Sequence, residues 1–232
     1  MRVFRMLVPL AALALGALPS EAQVGHPPQR SPYRDLTFRQ EFSLFSGYYS
    51  GAKGRARVAP ASGPMVGLRY EVRIGGPAEF TVRLARVWSE RLVRDPNLAP
   101  EARDLGIRAW PLYVGDAGIT LNLTGQKSYW GLVPVVHGGV GLATDFGKAG
   151  DPGGFKFGTP FAISFGGGVR WVPGGQFQLR ADLADFFYQL EYPDAYFTPV
   201  ADVAPILSGT AAKGEWKHNL ALTVGASYLF FR

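Results

Sequence analysis

Along most of this chain apolar and polar side chains take turns. The last stretch, "EWKHNLALTVGASYLFFR", sets Trp216, Leu220, Leu222, Val224, Ala226, Tyr228 and Phe230 on one face of an extended strand. Lys217, Asn219, Thr223, Gly225 and Ser227 fall on the other. Val66, Leu68, Tyr70, Val72 and Ile74 likewise oppose Gly67, Arg69, Glu71 and Arg73, and Phe177, Leu179, Ala181 and Leu183 oppose Gln178, Arg180 and Asp182. Period-2 segments of this kind predict eight strands, at residues 38–49, 65–74, 80–91, 108–125, 130–146, 160–172, 176–189 and 215–231. Helical periodicity competes nowhere. "RAWPLYVGDAGITLNLTG" is read as one long strand rather than two split at "GDAG", which would give nine. With the equally long "WGLVPVVHGGVGLATDF" it is expected to form a hairpin that rises above the others.

The connections alternate in length. "SGAKGRARVAPASGP", "LVRDPNLAPEARDLGI", "GKAGDPGGFKFGT" and "LEYPDAYFTPVADVAPILSGTAAKG" are long, while "GGPAE", "QKSY" and "PGG" are short. In an up-and-down meander alternate connections lie at the same end, so the short turns gather at one end and the long loops at the other. Transmembrane barrels have this asymmetry.

The alternation alone leaves open which face is inside, and three features decide it. Glycines fall mostly on the polar face, at Gly47, Gly67, Gly139, Gly141, Gly166, Gly168 and Gly225, where a narrow interior needs small residues. The apolar face carries far more bulk than an eight-stranded interior accepts. Trp88, Trp171, Trp216, Tyr228 and Phe230 stand near strand ends on that face, as in an interfacial aromatic girdle. The greasy face is therefore expected to point outward, into lipid.

The N-terminus gives the compartment. "MRVFRMLVPLAALALGALPSEAQ" has Arg2 and Arg5, an apolar run from Met6 to Leu18, and Ser20 and Ala22 spaced as a small-x-small cleavage site. Residues 1–22 are expected to be a signal peptide, 23–36 a Pro-rich leader and 37–232 the barrel domain. Removing Arg2, Arg5 and Glu21 leaves 22 basic and 17 acidic residues, a net charge of +5 without basic runs, which does not suit a nucleic-acid partner. The chain has no cysteine, hence neither disulfides nor thiolate metal sites.

Taken together, the signal peptide, the eight alternating strands, the alternating connection lengths and the aromatic terminal strand resemble the small bacterial outer-membrane barrels, the class of the OmpA transmembrane domain and OmpX. The resemblance implies an all-β, eight-stranded antiparallel up-and-down transmembrane barrel in the bacterial outer membrane, surrounded by outer-membrane lipid and inserted by the barrel-assembly machinery. That machinery reads a terminal aromatic, and here Phe231 precedes a final Arg232.

Candidate chemistry sits in the interior. Glu41, Arg69, Glu71, Arg73, Arg83, Arg170, Arg180 and Asp182 are expected to share one lumen, where buried charges must pair. Placing Ile74 opposite Phe80 puts Glu71 opposite Arg83, whereas the other face-preserving register opposes Arg69 and Arg83; the first is expected. The favoured function is structural or surface-interacting, with a plugged lumen. The alternatives are a narrow pore gated by lumen ion pairs, which the OmpA resemblance implies, a lipid-modifying enzyme, and a soluble lipocalin-like binder.

An enzyme is not expected. Eight-stranded lipid A deacylases use a His-x-Ser pair, and "HGG" and "HNL" do not match it. His26 falls in the leader, and His137 and His218 are expected to be satisfied sheet residues. No metal or cofactor is expected, since "DPGG" and "EYPD" lack the ligand density of calcium loops. At the loop end Lys53, Arg55, Arg57, Arg91, Arg94 and Arg108 are candidates for contact with lipopolysaccharide phosphates. The 190–214 loop, with its nearly uncharged "YFTPVADVAPIL", is the candidate for covering the barrel mouth or meeting an extracellular ligand.

Overall fold

Thirteen strands organise the protein, which a computed structural model describes for residues 31–199 and 204–230. They are β1 (Tyr33–Asp35), β2 (Gln40–Ser50), β3 (Gly63–Gly75), β4 (Ala78–Val87), β5 (Glu90–Arg94), β6 (Asp104–Ala109), β7 (Leu112–Asn122), β8 (Lys127–Tyr129), β9 (Leu132–Thr144), β10 (Phe161–Gly174), β11 (Phe177–Glu191), β12 (Gly214–Lys217) and β13 (Leu220–Phe230). Eight of them close on themselves in the order β2, β3, β4, β7, β9, β10, β11, β13 and back to β2, every pair antiparallel. Closure leaves no open edge, the condition for a sheet to stand in hydrocarbon. The 11 residues of β2, tilted about 40°, rise roughly 28 Å, enough to cross an apolar band of about 25 Å. The signal peptide, His26, most of the leader, Phe231 and Arg232 lie outside the described residues.

The eight predicted segments each contain one barrel strand, with three corrections. The segment 80–91 ends at Val87, and β5 pairs instead with β6 in a separate two-stranded sheet within the long 88–111 connection. The segment 108–125 breaks at Trp110–Pro111, because proline has no N–H to give the ladder; the hairpin of β7 and β9 begins at the Tyr113–Thr144 pair and does not outgrow its neighbours. The hairpin that extends is β11 with β12, whose last pair is Glu191–Gly214. The segment 215–231 is interrupted at Asn219, whose side chain replaces ladder bonds by accepting the Ala52 N–H (2.9 Å) and donating to the Phe186 carbonyl (2.9 Å). Within the expected leader, β1 pairs with β8, and Leu36, together with Phe38 just beyond the leader, packs with Val133, Val135 and Leu229 across the base of the barrel.

Short turns sit at one end and long loops at the other. The barrel is inside out relative to a soluble protein. Leu222 is 61% exposed on the outer face while Arg170 is 0% exposed in the lumen. Trp88, Trp216 and Tyr48 ring the loop end; Trp171, Phe42, Phe177 and Tyr228 ring the turn end, where Phe230 stacks on Tyr228 at 6.1 Å.

Glycines make room for this lumen. A Cβ at Gly166 would lie 2.2 Å from the Leu183 carbonyl oxygen and 2.8 Å from His137 Cε1. Outward-facing Gly138 would meet only the Ser164 oxygen, at 3.9 Å. Gly166→Val is therefore expected to abolish most barrel closure, read as loss of the heat-modifiable gel shift on refolding into detergent, while Gly138→Ala keeps it; equal shifts would refute the crowding argument.

Candidate functional site: the lumen network and its cap

Alternation on neighbouring strands aims charged side chains at one axis, and they meet there. Arg170 on β10 is the hub: Nη2 donates to Glu71 Oε2 (2.6 Å) and Glu79 Oε2 (2.5 Å), and Nη1 lies 3.7 Å from Glu41 Oε2. Arg180 on β11 donates from Nη1 to the same Glu71 oxygen (2.6 Å) and from Nε to Asp182 (2.8 Å), which also accepts from Arg69 Nη1 (2.9 Å). Arg83 on β4 grips Asp116 on β7 with two bonds, 2.9 and 2.6 Å, and the Ser164 hydroxyl donates to the same carboxylate (2.5 Å). Hydroxyls fill the remaining positions. Thr81 and Thr120 donate to Glu71 Oε1 (2.8 and 3.0 Å), and Ser43 and Ser227 donate to Glu41 Oε1 (3.0 and 2.9 Å). Most of these carboxylates have both ionic and neutral donors, the arrangement that buried charge requires.

The expected register does not occur. Val72 faces Phe80, Arg69 faces Arg83, and Glu71 faces Thr81. Opposed arginines destabilise an isolated strand pair, but in a closed barrel each can reach a third strand: Arg69 turns to Asp182 on β11 and Arg83 to Asp116, its direct neighbour on β7. Repulsion across one rung is outweighed by attraction to these two carboxylates, one across the lumen and one on the next strand. Arg73 stands apart from the hub, at the base, where Nη1 donates to the Leu36 carbonyl (3.0 Å) and the guanidinium lies 5.5 Å from the Phe38 ring. Sequence reasoning missed Glu79, placed in the "GGPAE" turn, and Asp116, which lay inside a predicted strand but was not counted among the lumen charges. Parity held the signal, since Glu79 shares the face of Thr81 and Arg83, and Asp116 that of Thr120 and Asn122.

His137 is not a satisfied sheet residue. It is buried in the lumen, and neither ring nitrogen has a hydrogen-bond partner. His218 sits at the loop end, where Nδ1 meets Asp185 and the ring packs on Phe187 at 4.5 Å. No hydrogen bond among the described residues joins His137 to a serine or to Asp182, and no group of three or more His, Asp or Glu side chains among them is placed to hold a metal ion.

Above the network an apolar layer closes the mouth. Met65, Val87, Leu112, Phe157 and Leu190 pack beneath Tyr192, Tyr196 and Leu207 of the last loop, so that loop folds over the barrel. Tyr49 and Tyr188 share a hydroxyl hydrogen bond of 2.9 Å inside this layer. Burial, and next the Asp151 charge, hold the Tyr196 hydroxyl above its ordinary pKa. Arg91, expected at the surface, is wholly buried instead: it forms a two-pronged pair with Asp151, donates to the Val58 carbonyl and lies 3.9 Å from the Trp110 ring centre. It ties three loops together and is not available to lipopolysaccharide.

Arg94 pairs with Asp104 (2.7 Å), and Arg55 donates to the Ala212 carbonyl (2.7 Å) and lies 3.5 Å from Glu215. Burial pushes the Glu215 carboxyl up, but hydrogen bonds from Lys217, the Arg55 N–H and Tyr192 outweigh it and hold the group below the usual carboxylate range. Lys53, Arg57 and Arg108 remain exposed.

No family model matches the chain, and no curated protein matches it. Among solved structures it is similar to the outer membrane protein OprG from Pseudomonas aeruginosa, with a TM-score of 0.50 and 14% identity over 84% of this chain and 98% of that one. Neisserial surface protein A, with a TM-score of 0.46 and 16% identity, covers 86% of this chain and 98% of its own. A major outer membrane protein from Thermus thermophilus, with a TM-score of 0.43 and 16% identity, covers 84% and 100%. The likeness to OprG shows the fold, a closed eight-stranded antiparallel barrel, and the apolar outer belt and charged lumen suit a barrel that stands in lipid.

Proposed function

We propose that the protein serves the outer membrane as a closed barrel with a structural and surface-interacting role, its loops being the working surface, rather than as a permanent pore. The observation that carries this reading is the filling of the lumen. Between the hub and the apolar layer the cavity lined by Phe45, Arg69, Arg83, Val114, Phe186 and Thr223 measures about 10 Å³, room for about one water. Below it, salt bridges span the interior from β3 and β4 to β10 and β11. Export through the signal peptide at 1–22 and insertion by the barrel-assembly machinery belong to the same reading. The same reading takes the protein to be no enzyme: the Ser164 hydroxyl donates to Asp116, whose carboxylate is held by Arg83.

A second reading, a narrow gated pore, draws on spare atoms in the network. Glu41 Oε2 and Arg170 Nη1 lie 3.7 Å apart without a hydrogen bond, so beyond Glu71 and Glu79 Arg170 has a third carboxylate toward which to swing. Conductance in planar bilayers separates the two. The wild-type barrel is expected to give no stable openings, and Glu71→Ala, which removes the carboxylate that Arg170 and Arg180 share, is expected to give some. Stable wild-type openings would overturn the closed-barrel reading.

A further inference from the structure

One cation on this barrel points the wrong way. Arg86 lies on β4 in line with outward-facing Val82 and Leu84, exposed on the lipid side, and forms no ion pair among the described residues. Its guanidinium lies 5.0 Å from the Trp88 ring centre and 5.9 Å from that of Tyr113. Eight residues of tilted strand separate it from the turn-end residue Ala78, a rise of roughly 20 Å. The charge therefore sits near the upper edge of the apolar band, on the loop side, where a long side chain reaches phosphate from within the acyl layer.

A trench of about 660 Å³ begins beside it. Gly115 and Ala117 on β7 form the floor, Leu84 on β4 and Val140 and Leu142 on β9 form the walls, and Tyr113 with Phe146 closes the top. Neighbouring strands are about 4.8 Å apart, so a floor one strand wide between two walls takes a single extended chain. From Tyr113 to Ala117 the floor runs about 13 Å, close to one leaflet of an apolar band about 25 Å tall. Phe146 has a left-handed backbone (φ 55°), a conformation an aromatic residue rarely adopts, and the Thr144 hydroxyl accepts its N–H (2.9 Å); its ring lies 4.7 Å from that of Tyr113. On the same loop Lys148 stands exposed, 4.7 Å from the Trp110 ring centre.

We propose that Arg86 and this trench form a binding site for a phosphorylated, saturated-chain glycolipid of the outer leaflet, the guanidinium taking a phosphate and the trench one acyl chain. Charge complementarity selects an anionic head, because no carboxylate among the described residues neutralises Arg86 and a guanidinium fork matches two phosphate oxygens. Position selects the leaflet, because the long loops and the aromatic residues of the outer rim lie at this end. Width selects a straight chain. The site depends on the barrel standing in lipid and not on whether its lumen is closed.

The test is native mass spectrometry of the full-length barrel, refolded in detergent, each variant first checked for its heat-modifiable shift. The probes are bisphosphorylated lipid A, its dephosphorylated form and phosphatidylglycerol. One lipid A per barrel is expected to be retained in preference to both other lipids. Arg86→Gln is expected to lower retention roughly ten-fold, as loss of a charge-assisted pair does, with Arg86→Lys in between. Ala117→Leu, which fills the floor from the lipid side, is expected to lower it comparably. Retention within a factor of three of wild type in Arg86→Gln or Ala117→Leu, or equal retention of either other lipid, would overturn the proposal.

Discussion

Arg170→Ala is expected to remove most of the barrel's stability, the largest effect of any single truncation in the lumen. The side chain is fully buried and holds Glu71 at 2.6 Å and Glu79 at 2.5 Å, with Glu41 at 3.7 Å. Truncation leaves those carboxylates in an interior that water does not enter freely. Arg180 still reaches Glu71, but Glu79 then keeps only the Asn122 amide (3.0 Å) and Glu41 only its two serines. Breaking one buried pair from one side costs about 3–5 kcal/mol, and a whole domain is stable by about 5–15 kcal/mol. The urea midpoint of the gel shift measures this. The triple replacement Arg170→Met, Glu41→Gln and Glu79→Gln is expected to recover much of the loss, because the penalty lies in unpaired charge rather than in missing attraction. An Arg170→Ala barrel within about 1 kcal/mol of wild type would show that the lumen is wet enough to solvate its carboxylates.

Arg91→Ala is expected to open the extracellular cap without unfolding the barrel. Arg91 is enclosed by Asp151, the Val58 carbonyl and the rings of Trp110 and Phe155, so its removal strands a buried carboxylate beneath the loops. A local cost of about 3–5 kcal/mol falls on loops whose opening free energy lies below that of the strands. Trypsin is then expected to cut at Arg57, Arg94 and Lys148 in the variant, while the strands stay protected and the urea midpoint stays near wild type. Lys213→Ala is the control: its pair with Asp194 is exposed on both sides, and breaking it leaves the cap closed. Equal digestion of wild type and Arg91→Ala would refute the role of the clasp.

Much of the fold was legible because a strand writes its two faces into alternate residues. The period sorted Leu220, Leu222, Val224 and Tyr228 from Asn219, Thr223 and Ser227, glycine placement, apolar bulk and the aromatic girdle turned the first set outward, and the structure exposes that set and buries the second. The candidate site was legible as a set of inward positions, not as pairs. Glu71 with Arg83 is the instructive failure: local reasoning compared two registers of one hairpin, but the partners of Arg69 and Arg83 lie on other strands. Arg91 failed for a related reason. A basic residue in a loop reads as solvated, and only Asp151, 60 positions away, makes it a buried residue.

The sequence by itself determined the eight barrel segments, the alternation of turns and loops, and which side chains share a face, because these follow from residue spacing along the chain, and its glycine placement, apolar bulk and aromatic girdle then chose the outer face. Tertiary structure alone decided the register, the hub at Arg170, the clasp at Arg91 and the trench beside Arg86. These depend on closing the sheet, which brings distant strands within a few ångströms and lets burial set which charges must pair.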